Sequence, residues 1–134
     1  MKVLISDHLS DSAISIFKKK GIDVDYLPDI NRERLKKIIH NYDALAIRSN
    51  TNVDKEILLL SSNLKVIGRA GIGVDNIDID YATSKGIIVM NTPHGNSITT
   101  AEHTIAMIMS LARQIPDANV STKNGKWEKE LLYP

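Results

Sequence analysis

The sequence predicts an α/β domain built on an open, doubly wound parallel sheet. Three observations carry this. Short β-rich runs alternate with helical patterns up to about residue 92, as βαβ units require. Capping residues and glycines fall between these runs rather than inside them. After residue 96 the alternation stops and one long apolar helical pattern replaces it, which marks a boundary.

The elements follow in order. Residues 2–6 (KVLIS) read as the first strand. Ser10 is placed to cap a helix over 11–20, with Ala13, Ile14, Ile16 and Phe17 near helical spacing. Gly21 after the basic run KKK is its stop signal. Residues 22–26 alternate apolar and acidic, the period of a half-exposed strand, and Pro28 and Asp29 break it. Asn31 caps a second helix whose apolar stripe is Leu35, Ile38 and Ile39. Residues 44–47 are a third strand, and 53–60 a short helix with Asn52 as its cap. Residues 64–67 are a fourth strand running into GRAGIG. A helix over 79–84 is closed by Gly86, and 87–90 (IIVM) is a fifth strand.

Right-handed crossovers place helices on both faces of such a sheet. Its ligands sit beyond the C-terminal strand ends. Those ends carry SDH (6–8), RSN (48–50), GRAGIG (68–73) and NTPHGN (91–96). Beyond them, residues 97–114 read as one helix, with either Ser97 as cap or Thr99 and Glu102 as a capping box. Its centre, IAMIMSLA, is apolar on nearly every face, so it needs cover on more than one side. Pro116 ends the pattern, and a weaker helix runs on toward Gly125.

Bulk properties exclude several classes. A formal net charge of +1 leaves no electrostatic case for nucleic acid or an anionic membrane. No apolar run approaches the roughly 18 residues of a membrane span, and MKVLISD reads as a strand rather than a signal segment. The chain has no cysteine, which removes disulfides and thiol chemistry and fits a reducing compartment. A cytoplasmic setting is the expectation, and no metal site is read.

GRAGIGVDNID begins as a dinucleotide loop would, but the third glycine of Gly-x-Gly-x-x-Gly is replaced by Asn76. About twenty residues on stand Val89, Met90 and Asn91, with no acid for a ribose. A pyrophosphate site is therefore not expected. On spacing alone, Gly68, Gly71 and Gly73 make a tight strand-end turn. Their position at the ligand edge, with Arg69 among them, favours a cradle for an anion. Asp75, Asn76 and Asp78 read as turn and cap residues. His8, His40, His94 and His103 have no carboxylate at a defined spacing, so none is given a catalytic role.

LKVIGRAGIGVDNID, with ATSKGIIVMNTPHGNSITTAEHTIAMIMSLARQIPDA and GKW, resembles the D-2-hydroxyacid dehydrogenase family, most closely its phosphoglycerate-oxidising branch. The resemblance spans essentially the whole chain and is densest over residues 64–127. It implies a flavodoxin-like substrate-binding domain over 1–96. Residues 97–134 would be a linker helix and the start of an NAD-binding Rossmann domain whose glycine loop lies further on. The chain is thus expected to be an N-terminal fragment. The implied reaction oxidises 3-phosphoglycerate to 3-phosphohydroxypyruvate at the entry to serine synthesis, with NAD held mainly by the domain beyond this chain. The implied ligand is a small phosphorylated 2-hydroxy or 2-keto acid.

By the same resemblance, Arg48 and Arg69 match substrate-binding arginines, with Ser49 beside the first. Gly71, Ile72 and Gly73 match the loop whose backbone binds the substrate carboxylate. Ile72 also matches a position touching the nicotinamide. Asn96 matches a substrate contact, and Thr100 lies where the long helix passes the cofactor. The family's catalytic arginine, glutamate and histidine belong to later sequence, so no catalytic residue is assigned and the isolated chain is expected to be inactive. A homo-oligomer through the helical segment after Ser97 is expected. The alternatives are another member of the family, such as a glyoxylate or hydroxypyruvate reductase, or a non-catalytic flavodoxin-like binding module.

Overall fold

Successive side chains on a strand point to opposite faces of a sheet, and the strands over residues 2–5 and 44–47 are apolar at both kinds of position. Those two strands therefore need cover on both sides, which a helix-bearing parallel sheet supplies. The computed structural model describes residues 1–128 and 130. It has five parallel strands: β1 (Lys2–Ile5), β2 (Asp23–Tyr26), β3 (Ala44–Ile47), β4 (Val66–Arg69) and β5 (Ile88–Asn91). They lie in the order β2-β1-β3-β4-β5, the flavodoxin-like arrangement. The helices are α1 (Asp11–Lys19), α2 (Arg32–Ile38), α3 (Lys55–Leu60), α4 (Ile79–Ser84), α5 (Ser97–Ala112) and α6 (Ile115–Lys123).

The alternation sorts the core into two clusters. Leu4, Leu45, Ile47 and Ile67 pack with Leu35, Ile57, Leu58 and Ala82 from α2, α3 and α4. Val3, Ile5 and Ala44 pack on the other side with Ile14 and Phe17 of α1. That second face is less completely covered. An open apolar cleft of about 400 Å³ runs past Val3, Phe17, Ala46, Val66 and Met90. Ion pairs tie α2 to α3: Arg32 Nη2 meets Asp54 at 2.6 Å and Glu56 at 2.7 Å, and Lys36 meets Glu56 at 2.8 Å.

Several boundaries differ from the sequence expectation, each for a physical reason. The cap of α3 is Asp54, whose Oδ1 accepts from the Ile57 N–H at 3.1 Å, and not Asn52. Val53 cannot be helical because it forms a parallel bridge with Ile77. Strand β4 is displaced by two residues because its register pairs Ile47 with Arg69, so Gly68 and Arg69 are strand residues rather than loop. Ser10 occupies the N-cap of α1, but its hydroxyl bonds Ser12 instead of a backbone amide. Helix α5 starts at Ser97 behind Asn96, so Thr99 and Glu102 lie inside it and form no capping box. It ends at Ala112 because Gln114 turns left-handed (φ 47°), while Pro116 sits in the first turn of α6, where a missing N–H does no harm. Gly21 (φ 68°) and Gly86 (φ 71°) close α1 and α4 as expected.

The chain divides into two compact units, residues 1–95 and 96–134. None of the 16 residues of α5 is buried. No helix among the described residues is long and apolar enough to cross a membrane.

Candidate functional site

Parallel register brings the ends of β3, β4 and β5 to one edge: Ile47 pairs with Arg69, and Arg69 with Asn91. The residues that follow, 48–51, 70–73 and 92–95, therefore share that edge. Arg48 and Ser49 are exposed in the first of these loops, and the Arg48 guanidinium has no partner among the described residues. The loop itself is held rigidly from beneath. Asp7, only 1% exposed, accepts from the backbone N–H of Arg48 (2.6 Å), Asn50 (3.1 Å) and Thr51 (3.2 Å) on one carboxylate oxygen. Its other oxygen accepts from the Thr51 hydroxyl at 2.6 Å, and that hydroxyl also meets Ser6 Oγ at 2.8 Å. A buried carboxylate is tolerated only when so fully bonded.

Arg69 ends β4 and folds back over the glycine bend. Its side chain is 11% exposed, and Nη2 reaches the exposed Asp75 only at 3.9 Å, too long and too solvated to neutralise it. A Cβ on Gly71 would collide with the Arg69 guanidinium, so glycine at 71 is what leaves that cation its place. The Gly71 N–H donates to the Arg69 carbonyl at 2.9 Å, while its own carbonyl accepts from Thr92 N–H at 2.9 Å. Asn91 Nδ2 donates to the Ile72 carbonyl at 2.7 Å. The amides of Ile72 and Gly73 have no acceptor among the described residues. The bend thus carries two backbone donors, without an acceptor among the described residues, close to the Arg69 guanidinium, and Ile72 is 41% exposed.

The bend does not suit a pyrophosphate. It leads through a turn into the Val53–Ile77 bridge, and the helix after it, α4, starts only at Ile79 behind the Asp78 cap (Tyr81 N–H to Asp78 Oδ1, 2.9 Å). No helix N-terminus opens directly from the glycines, which a dinucleotide loop requires. Asn96 and Thr100 belong to the other unit. Asn96 is the N-cap of α5 without a side-chain cap bond, its carbonyl accepts from the Thr100 N–H at 2.9 Å, and both residues are exposed.

Three residues here escaped the sequence reading as parts of a site: Asp7, Thr51 and Asn76. Asp7 had one visible signal, a carboxylate closing an apolar strand. Asn76 was legible only as a turn residue, yet its side chain bonds Arg69 Nε (2.9 Å) and the carbonyls of Arg48 (2.8 Å) and Thr51 (2.6 Å). Among the described residues no group of three His, Asp or Glu is placed to hold a metal ion.

Residues 3–127 match the model of the D-isomer specific 2-hydroxyacid dehydrogenase catalytic domain. A D-3-phosphoglycerate dehydrogenase from Archaeoglobus fulgidus is 48% identical over 130 residues, covering 97% of this chain and 25% of that protein. The cofactor (NAD+)-bound 3-phosphoglycerate dehydrogenase of Entamoeba histolytica superposes with a TM-score of 0.72 at 32% identity, over 84% of this chain and 39% of its own. A Pyrococcus horikoshii protein of solved structure gives a TM-score of 0.85 at 32% identity, over 96% of this chain and 38% of its own. The chain spans about a quarter of the length of the curated relatives it matches. By the family model and these relatives, the chain belongs to the D-isomer specific 2-hydroxyacid dehydrogenase family.

Proposed function

We propose that this chain is the substrate-holding front part of an NAD-dependent dehydrogenase that oxidises 3-phosphoglycerate to 3-phosphohydroxypyruvate. One observation carries the reading: Arg48 and Arg69 stand at adjoining strand ends beside a glycine bend with two open amides. Such a substrate bears a carboxylate and a phosphate. Planar guanidinium donors suit both, and successive backbone N–H groups suit one carboxylate. The phosphoglycerate dehydrogenase relatives favour this substrate over glyoxylate or an unphosphorylated 2-keto acid.

In this reading residues 1–96 are the substrate-binding domain, and 97–134 lead into the domain that holds NAD. NAD supplies the hydride acceptor. This chain's share of the work is to fix the anionic ends of the substrate and to keep an apolar contact, Ile72, toward the nicotinamide. Asn96 and Thr100 are assigned substrate and cofactor contacts respectively. The chain carries no acid–base catalyst of its own, so alone it is inactive. We place the enzyme in the cytoplasm, where a chain without cysteine fits, and assign it homo-oligomeric assembly through the apolar helical segment.

The test is made in the longer dehydrogenase. Arg69→Ala is expected to weaken use of phosphorylated substrate by roughly a hundredfold, as loss of a charged bond worth about 2–3 kcal/mol would, and use of glyoxylate far less. Equal losses for both substrates would remove the phosphate role. NADH oxidation by the 134-residue chain alone, given phosphohydroxypyruvate, would overturn its inactivity.

A further inference from the structure

Asn76 bonds the Arg69 side chain and the backbone of Arg48, and makes no hydrogen bond to either open amide of the bend. Its carboxamide has one acceptor and two N–H donors, and all three are used. Oδ1 accepts from Arg69 Nε at 2.9 Å. Nδ2 donates to the carbonyls of Arg48 at 2.8 Å and Thr51 at 2.6 Å. These partners fix which way the amide faces: a flipped group would set N–H against N–H and oxygen against two carbonyls. The main chain of Asn76 is anchored too, since its carbonyl accepts from the Val53 N–H at 2.8 Å. Side chain and backbone together therefore hold it against the loop that carries Arg48.

We propose that Asn76 is a positioning residue that aims the Arg69 guanidinium and locks it to the backbone of Arg48, so that the two cations present a single grip for a phosphorylated acid. This rests on the substrate reading given above. The chemistry explains why the group is an amide. A carboxylate at 76 would orient Arg69 equally well but would neutralise it, and would repel the two carbonyls. A neutral acceptor on Nε orients the cation and leaves its Nη donors, with their charge, for the ligand. Gly71 completes the device by leaving space for the guanidinium.

The experiment compares Asn76→Ala, Asn76→Asp and Arg69→Ala with the parent in the longer dehydrogenase. It uses saturation kinetics with 3-phosphoglycerate and with glyoxylate, together with hydrogen exchange at Arg69 Nε. For Asn76→Ala, KM for 3-phosphoglycerate is expected to rise roughly tenfold, the effect of about 1.4 kcal/mol. Its kcat should stay within about twofold, KM for glyoxylate should change little, and the Nε proton should exchange faster. For Asn76→Asp the Nε proton stays protected while KM for 3-phosphoglycerate rises at least as far, because the charge is quenched. Unchanged KM in both Asn76 variants, with Arg69→Ala impaired, overturns the positioning role and leaves the substrate reading standing. Unchanged KM in Arg69→Ala overturns the reading beneath it. If Asn76→Ala does not fold, Asn76→Asp decides: a parental KM for 3-phosphoglycerate overturns the proposal, and a raised KM with a protected Nε supports it.

Discussion

The sheet unit and helix α5 are both rich in aliphatic residues, and they treat them in opposite ways. In the sheet unit Leu4, Ile5, Ile47, Ile57, Leu58 and Ile67 are all 0% exposed. In α5, Ile98 is 76% exposed, Ile105 61% and Leu111 74%. The difference is geometric. A parallel sheet presents two flat faces, and the crossovers that build it lay helices on them. A helix with apolar residues around most of its circumference needs neighbours on several sides. Hydrophobic content is therefore a poor guide to stability in this chain; coverage decides it.

The largest expected effect tests that contrast directly. Ile67→Ala, at the centre of the sheet, should cost about 3 kcal/mol in urea unfolding, whereas Leu111→Ala should stay within about 0.5 kcal/mol. Equal losses would break the comparison. Next comes the polar support of the sheet edge. Asp7→Ala strands three backbone donors and should cost roughly 2–3 kcal/mol. It should also speed amide exchange at Arg48 and Thr51, and a stable variant with normal protection there would show that the loop does not depend on Asp7. On the other side of the contrast, if the chain assembles through α5 as proposed, Leu111→Lys should weaken that self-association about tenfold, the effect of about 1.4 kcal/mol, read by sedimentation equilibrium. Association unchanged by that charge would mean that α5 is not the surface involved.

The smallest effect is at the opposite edge of the sheet and depends on pH. Burial, then donation to Asp25 at 2.7 Å, push the Tyr42 phenol from 10.0 up to about 12. A raised value in the fold means that the neutral phenol is favoured there. Its contribution is complete below pH 10 and fades as pH rises through about 12. Tyr42→Phe should make the alkaline limb of the stability profile shallower and cost about 1 kcal/mol at neutral pH. An unchanged limb would show that Tyr42 does not contribute to it.

Most of the fold could be read from local pattern, because strand alternation and helix stops are written within a few residues. Asn31 and Asp78 cap their helices through the i+3 amide, and Gly21 and Gly86 stop theirs, all as short-range chemistry dictates. Two of the errors arose where a distant partner intervened. Asn52 was read as the cap of α3, and Asp54 caps it instead because the Val53–Ile77 bridge keeps Val53 extended. The start of β4 depended on its register with β3, which no local signal fixes. At the candidate site, strand ends and motif resemblance singled out Arg48 and Arg69, and the register sets them at neighbouring strand ends. The partners of Asn76 lie 25 and 28 residues away in sequence for the two carbonyls, and those of Asp7 lie 41 to 44 away, so neither role had a local signature.

By itself the sequence determined the alternation of elements, the parallel sheet that follows from it, the absence of a third glycine in the loop and the apolar character of α5. These are one-dimensional facts: periodicity, spacing and residue type. Tertiary structure alone decided that a buried carboxylate braces the Arg48 loop, that Gly71 makes room for a folded-back guanidinium, and that one amide side chain joins Arg69 to the strand end beside it. Hydrogen bonds of 2.6–2.8 Å between groups far apart in the chain exist only once parallel register has brought the ends of β1, β3 and β4 to a common edge.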